Sequence, residues 1–158
     1  PPKIGIEWGN YYALVIGNNN YKFLDPLETA INDARDIGDL LKNKYGFKGL
    51  TKTDSDDNII FDNKIVFEDA SKNEIMSALN DYRNILGKND NLLIYYAGHG
   101  DRSEFIDQGY WIPIGSTSDY WDGIKNIDIV SLIERLNAKH VIVISDSCFS
   151  VFYSCCRF

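Results

Sequence analysis

Cysteine is scarce in this sequence. Three occur in 158 residues and two of them, Cys155 and Cys156, are adjacent, so no disulfide framework can be drawn and a reducing, cytoplasmic setting is expected. Neither of the pair has a histidine at metal-ligand spacing, which speaks against a zinc site. Long apolar runs are missing too: none approaches the roughly 18 residues that span a bilayer. The N-terminal stretch has no basic region followed by an apolar segment, so no secretory signal is visible. Basic charge is in deficit, with 16 Lys and Arg against 23 Asp and Glu and a net charge of -7. That balance argues against nucleic acid or anionic membranes as partners. Internal repeats, low-complexity tracts and linkers are also absent, leaving a single domain over residues 1–158 with one core.

What is present is an alternation of strand and helix signals. Tyr12 to Ile16 reads as a buried strand, closed by Gly17 and the turn-prone Asn18-Asn19-Asn20. A helix should follow, with Asp25 as its cap, Pro26 in its first turn and Glu28 completing a capping box. Its apolar positions run from Leu27 through Ala30, Ile31, Ala34, Ile37 and Leu41 to Tyr45, and Gly46 supplies a left-handed stop. A second strand is expected from Phe47, and a hairpin of Ile59–Phe61 with Ile65–Phe67 across Asp62-Asn63. Ser71 and Glu74 form another capping box, opening a helix that carries Ile75, Leu79, Tyr82 and Leu86 to a stop at Gly87. Asn91–Ala97 is a strand, Tyr110 to Ile114 a short extra one, and Asp128 caps a third helix. The pattern predicts an α/β fold, a mostly parallel sheet flanked by helices.

The most informative stretch is His140 to Ser150. Its β-branched run Val141–Ile144 gives way at once to Ser145, Asp146, Ser147 and Cys148, as a buried parallel strand does at its carboxyl end. The strand Asn91–Ala97 finishes the same way, in Gly98-His99-Gly100. Ligands bind in the crevice beyond the carboxyl ends of such strands, so one thiol and one imidazole are expected to share it. A free thiol is only a few per cent ionised at neutral pH, and a nearby imidazole corrects this. The amides of Gly100 and Cys148 are candidates for an oxyanion hole. The implied chemistry is acyl transfer to water through a thioester.

YYAGHG followed by VIVISDSCFS resembles the caspase-like cysteine peptidases, in particular the metacaspase and bacterial caspase-domain branch. His99 stands 49 residues before Cys148, close to the spacing of about 50 found in caspases. ALVIGNNNY and AINDARDIGDLLKNKYGF extend the resemblance back to residue 12. It implies a three-layer caspase-type α/β fold, with His99 as base, Cys148 as nucleophile and Gly100 beside the oxyanion. It further implies an acidic S1 pocket built by Asp33 and Asp146. Two carboxylates there favour a polypeptide substrate with Arg or Lys at P1. Many metacaspases carry Ser where this chain has Ala97, and they continue past the cysteine with a second segment of small-subunit length. The expectation is therefore a large-subunit-type domain whose sheet edge is completed by further chain, a partner chain or a second copy.

Other features receive plainer readings. Asp54, Asp56 and Asn58 imitate the start of a calcium loop, but Ile59 stands where Gly is required, so a solvated acidic loop is expected. No cofactor is implied, and calcium activation, known in some metacaspases, has no matching ligand set. Tyr95, Tyr96, Trp111 and Trp121 read as core or cleft wall. The rival to a cysteine endopeptidase is a non-catalytic pseudo-peptidase acting as an interaction or oligomerisation module.

Overall fold

The computed structural model describes residues 9–147 and the backbone of residues 153–156. Its centre is a five-stranded sheet in the order β10-β9-β5-β1-β4. The strands are β1 (Tyr11–Gly17), β4 (Val66–Glu68), β5 (Asn91–Ala97), β9 (His140–Asp146) and β10 (Tyr153–Cys156). β4, β1, β5 and β9 run parallel; β10 alone is antiparallel. β1 earns its central place from four consecutive residues, Ala13 to Ile16, that are fully buried. A strand apolar on both faces is stable only with helices on both.

Helix α1 (Ala30–Asp39), with a π-helical extension over Leu40–Lys44, packs on one face. There Ala30, Ala34 and Leu41 meet Ala13, Val15, Tyr95 and Ala97. The approach is close: a methyl on Gly17 would stand 2.6 Å from the Ala34 Cβ and from the Ala30 carbonyl oxygen. α2 (Lys72–Ile85) and α3 (Asn126–Ile133) cover the other face, where Ile75, Leu79, Ile129 and Ile133 meet Leu14, Ile16, Ile94, Tyr96 and Val143. Tyr82, fully buried on α2, donates to the Ala13 carbonyl at 2.6 Å and ties that helix to β1. Two small sheets stand beside the main one: the hairpin β2 (Leu50–Thr53) with β3 (Ile59–Lys64), and β6 (Gly100–Ser103), β7 (Gln108–Trp111) and β8 (Ile124–Lys125). Among the described residues no helix is long and apolar enough to cross a membrane.

Several expectations are met closely. β5 covers Asn91–Ala97, β9 begins at His140, Gly46 sits at φ +68°, and the Ser71–Glu74 capping box forms. Others change. The first helix begins at Ala30 without a side-chain cap from its own flank. Instead Asn19 Oδ1 accepts the Ile31 amide at 3.1 Å, and Asp25 lies in the preceding loop. Ile59–Phe61 pairs with β2 rather than with Ile65–Phe67, because the turn falls earlier. Asp54 Oδ1 collects the amides of Asp56 and Asn58, and Asp57 takes the left-handed conformation at φ 62°. The Asp54 carboxylate is thus engaged in holding a tight turn. Val66 then joins β1, opposite Val15. α3 starts two residues ahead of Asp128, which lies in its first turn. β9 is paired on its outer side by β10, with Tyr153 opposite Val143, so β10 is the outermost described strand there.

Candidate active site

Parallel pairing of β5 with β9 aligns Ala97 with Asp146. One residue further the Gly98 amide still reaches the Asp146 carbonyl, at 3.4 Å. The segments leading to His99 and to Cys148 therefore leave the sheet side by side. Cys148 itself lies outside the described residues; Ser147, the residue before it, is described.

His99 is held on three sides. Its amide donates to the Tyr21 hydroxyl at 2.8 Å, and its ring packs on that of Tyr21 with centroids 4.5 Å apart. The Tyr96 hydroxyl lies 2.8 Å from the His99 carbonyl and 2.9 Å from that of Ile112. The ring nitrogen Nε2 stands 2.8 Å from the Asp25 carbonyl oxygen. A carbonyl only accepts, so Nε2 carries the proton and the neutral ring keeps Nδ1 as its basic nitrogen.

Gly100 begins β6 opposite Trp111. The Ile112 amide donates to the His99 carbonyl at 2.9 Å, which makes Gly100 and Trp111 a non-hydrogen-bonded pair of the ladder. The Gly100 amide is therefore not spent on Trp111. A methyl on Gly100 would meet Ser147 Oγ at 2.9 Å and Ser147 Cβ at 3.1 Å. Glycine here lets the chain entering Cys148 pass directly over the residue after the histidine. Ser147 is itself tethered: its hydroxyl lies 3.0 Å from Ser145 Oγ, which accepts the Trp111 indole N–H at 2.9 Å.

His99, Ser147, Asp33, Asp146, Ala97, Gly98, Leu27, Thr29 and Ala30 line one cleft of about 250 Å³. Asp33 projects from the first turn of α1 and is half-buried, and Asp146 ends β9 exposed. The Asp146 carboxylate is gripped from below by Tyr95, whose hydroxyl donates to Oδ2 at 3.0 Å. A larger recess of about 400 Å³ lies between the β2–β3 hairpin and α2, lined in part by Lys52, Phe61, Lys64 and Asp81. It contains neither histidine nor cysteine. The structure thus brings His99, Asp33 and Asp146 to one cleft and sets Gly100 at its edge.

Sequence reasoning missed the Asp25 carbonyl and Tyr21 as partners of His99, and it placed Tyr95 only among core or cleft-wall residues. Tyr95 was open to a finer reading, since residues two apart on a strand share a face and Ala97 opposes Asp146. Asp25 and Tyr21 carry no such signal, because they reach His99 through the fold of residues 18–29.

Comparison with known proteins agrees with this geometry. Metacaspase-1 of Saccharomyces cerevisiae is 31% identical over 101 residues, which cover 63% of this chain and 22% of the yeast protein. Metacaspase-1 of Eremothecium gossypii is 28% identical over 102 residues, covering 63% of this chain and 21% of that protein. The aligned region is thus about a fifth of the length of these relatives. A crystal structure of a Geobacter sulfurreducens protein superposes with a TM-score of 0.66 at 18% identity, over 88% of this chain and 50% of that one, a likeness of fold. The caspase-domain family, peptidase family C14, matches residues 10–154, and with the paired strand ends described above this establishes that the chain belongs to the caspase-domain family of cysteine peptidases.

Proposed function

We propose that this domain is a cysteine endopeptidase of the metacaspase type, cleaving after Arg or Lys. The observation that carries the reading is the convergence of His99, Asp33, Asp146 and Ser147 on one cleft at the carboxyl end of the sheet. Cys148 follows Ser147 in the chain. In the reaction, His99 Nδ1 takes the thiol proton as Cys148 Sγ attacks the scissile carbonyl carbon. The Gly100 amide donates to the oxyanion, an interaction typically worth about 2.7–4 kcal/mol of barrier. The tetrahedral adduct collapses as His99 returns the proton to the departing amine, leaving a thioester. Water, deprotonated by His99, then releases the acid and restores the thiol. The Asp25 carbonyl favours the imidazolium that forms in each half-reaction, because a charged N–H donates more strongly. Asp33 and Asp146 supply the negative charge that an Arg or Lys side chain at P1 requires.

The test is a set of matched fluorogenic peptides with Arg, Lys or Asp at P1, given to wild type, Cys148→Ala and His99→Ala. Cleavage after Arg and Lys is expected, abolished in Cys148→Ala and lowered on the order of 10²–10⁴-fold in His99→Ala. Preference for Asp at P1 would overturn the pocket assignment. Cleavage that survives Cys148→Ala would overturn the nucleophile.

A further inference from the structure

The floor beneath Asp146 holds a group that the chemistry above does not use. Tyr95 is almost completely buried, on the α1 face of β5. That face also carries Ala97, which pairs with Asp146 and whose side chain has no polar atom. The Tyr95 hydroxyl donates to Asp146 Oδ2 at 3.0 Å. Asp146 is an exposed residue at a strand end, so without this bond its short side chain would be free to turn into solvent. The donor is dependable. Burial, then the bond to Asp146, then the charges of Asp146 and Asp33 all push the Tyr95 hydroxyl above its ordinary range, so it keeps its proton.

We propose that Tyr95 is a positioning residue for P1 selection: its hydroxyl fixes the plane of the Asp146 carboxylate, and the fixed plane makes the pocket favour arginine over lysine. The inference rests on the acidic-pocket reading of Asp33 and Asp146. A guanidinium is planar and its donors form a rigid fork, so it gains from a carboxylate held in one orientation. An ammonium is a compact charge with rotatable donors and tolerates a carboxylate that swings. Tyr95 does not line the cleft and acts on substrate only through Asp146.

The experiment compares wild type, Tyr95→Phe, Asp146→Asn and the double variant on matched Arg and Lys peptides. Binding of the same uncleaved peptides is measured in a Cys148→Ala background. For Tyr95→Phe we expect KM and Kd for the Arg peptide to rise about 5- to 10-fold, those for the Lys peptide to change less than 2-fold, and kcat to hold, flattening the Arg-to-Lys ratio. Tyr95→Phe should have no further effect once Asp146 is Asn. A purely structural tyrosine would shift thermal stability and leave the Arg-to-Lys ratio alone, and that result overturns the proposal. If the Cys148→Ala protein binds neither basic peptide, the pocket reading fails and takes this inference with it. If wild type selects Arg and Tyr95→Phe selects it equally, only the role of Tyr95 is lost.

Discussion

One methyl group suffices to probe Gly100. Built onto its backbone, a Cβ would press on Ser147 Oγ at 2.9 Å and Ser147 Cβ at 3.1 Å, with the Tyr110 carbonyl at 3.2 Å. Ser147 must give way by a few tenths of an ångström, a fraction of the roughly 1 Å misplacement that costs on the order of 100-fold in rate. Gly100→Ala is therefore expected to lower kcat by about 3- to 10-fold while circular dichroism stays unchanged. Tyr21 tests the other side of the histidine. Tyr21→Phe removes the acceptor of the His99 amide, a bond of 2.8 Å beneath a packed ring. The donor is partly buried, so leaving it unpaired costs about 1 kcal/mol, the low end of the range for buried groups, which urea denaturation would register as a lower midpoint at unchanged slope. Activity should fall as well, because the backbone that carries the His99 imidazole loses the bond that fixes it, although the ring it rests on is kept. A variant as stable as wild type would show that the hydroxyl is replaced by solvent.

At the scale of elements, local sequence predicted what local sequence controls. The Ser71–Glu74 box forms because both partners lie within one turn: the Ser71 amide donates to Glu74 Oε2 at 2.8 Å, and the Ser71 hydroxyl accepts the Glu74 amide at 3.4 Å. The equivalent reading of Asp25 with Glu28 fails for a physical reason. The Ile31 amide at the start of α1 finds Asn19, twelve residues earlier, and that oxygen arrives there only because the loop after β1 folds back. Asp69 anchors the same loop by accepting the amides of Asn19 and Asn20 at 2.8 and 2.9 Å. No capping pattern records such a partner. The formed box also yields a pH prediction. The Ser71 hydroxyl and amide hold the Glu74 carboxyl below its usual range. A depressed carboxyl contributes stability that is fully present above the unfolded-state pKa and disappears as pH falls through the folded one. Ser71→Ala should cost about 1 kcal/mol at neutral pH. The gap from wild type should narrow as pH drops through and below the ordinary carboxylate range, in urea titrations run at a series of pH values. A gap constant with pH would mean the two halves of the box act independently.

Across the whole molecule, the sheet was legible in its parallel core and not in its margins. Runs such as YALVI, NLLIYYA and HVIVIS announce strands buried on both faces. Their carboxyl ends announce the site, since a parallel sheet places those ends together. The pairing of β2 with β3 and the docking of β10 on β9 depend on turns and edges, where apolar periodicity is weak. The same contrast sets the order in which the molecule opens. β1 and β5 lie inside the sheet with neighbours on both sides, and Ala13 to Ile16 have no exposed surface. Their amides can exchange only when the whole sheet comes apart. Among the described residues the β2–β3 hairpin pairs only with itself, exposes Ile59 and Ile60 at 65% and 57%, and buries little beyond Leu50. Its amides should exchange through local opening, which exposes little new surface and so responds little to denaturant. Native-state hydrogen exchange in rising urea should therefore separate two classes. Exchange of β1 and β5 amides should accelerate with the slope of global unfolding, while exchange of hairpin amides should stay nearly flat until the transition. The β9 amides near Asp146 decide how firmly the cleft is built. If they follow β5, the strand ends that carry His99 and lead to Cys148 open together, and the site lasts as long as the fold. If they follow the hairpin, the cleft comes apart before the core, and its geometry depends on what is bound there.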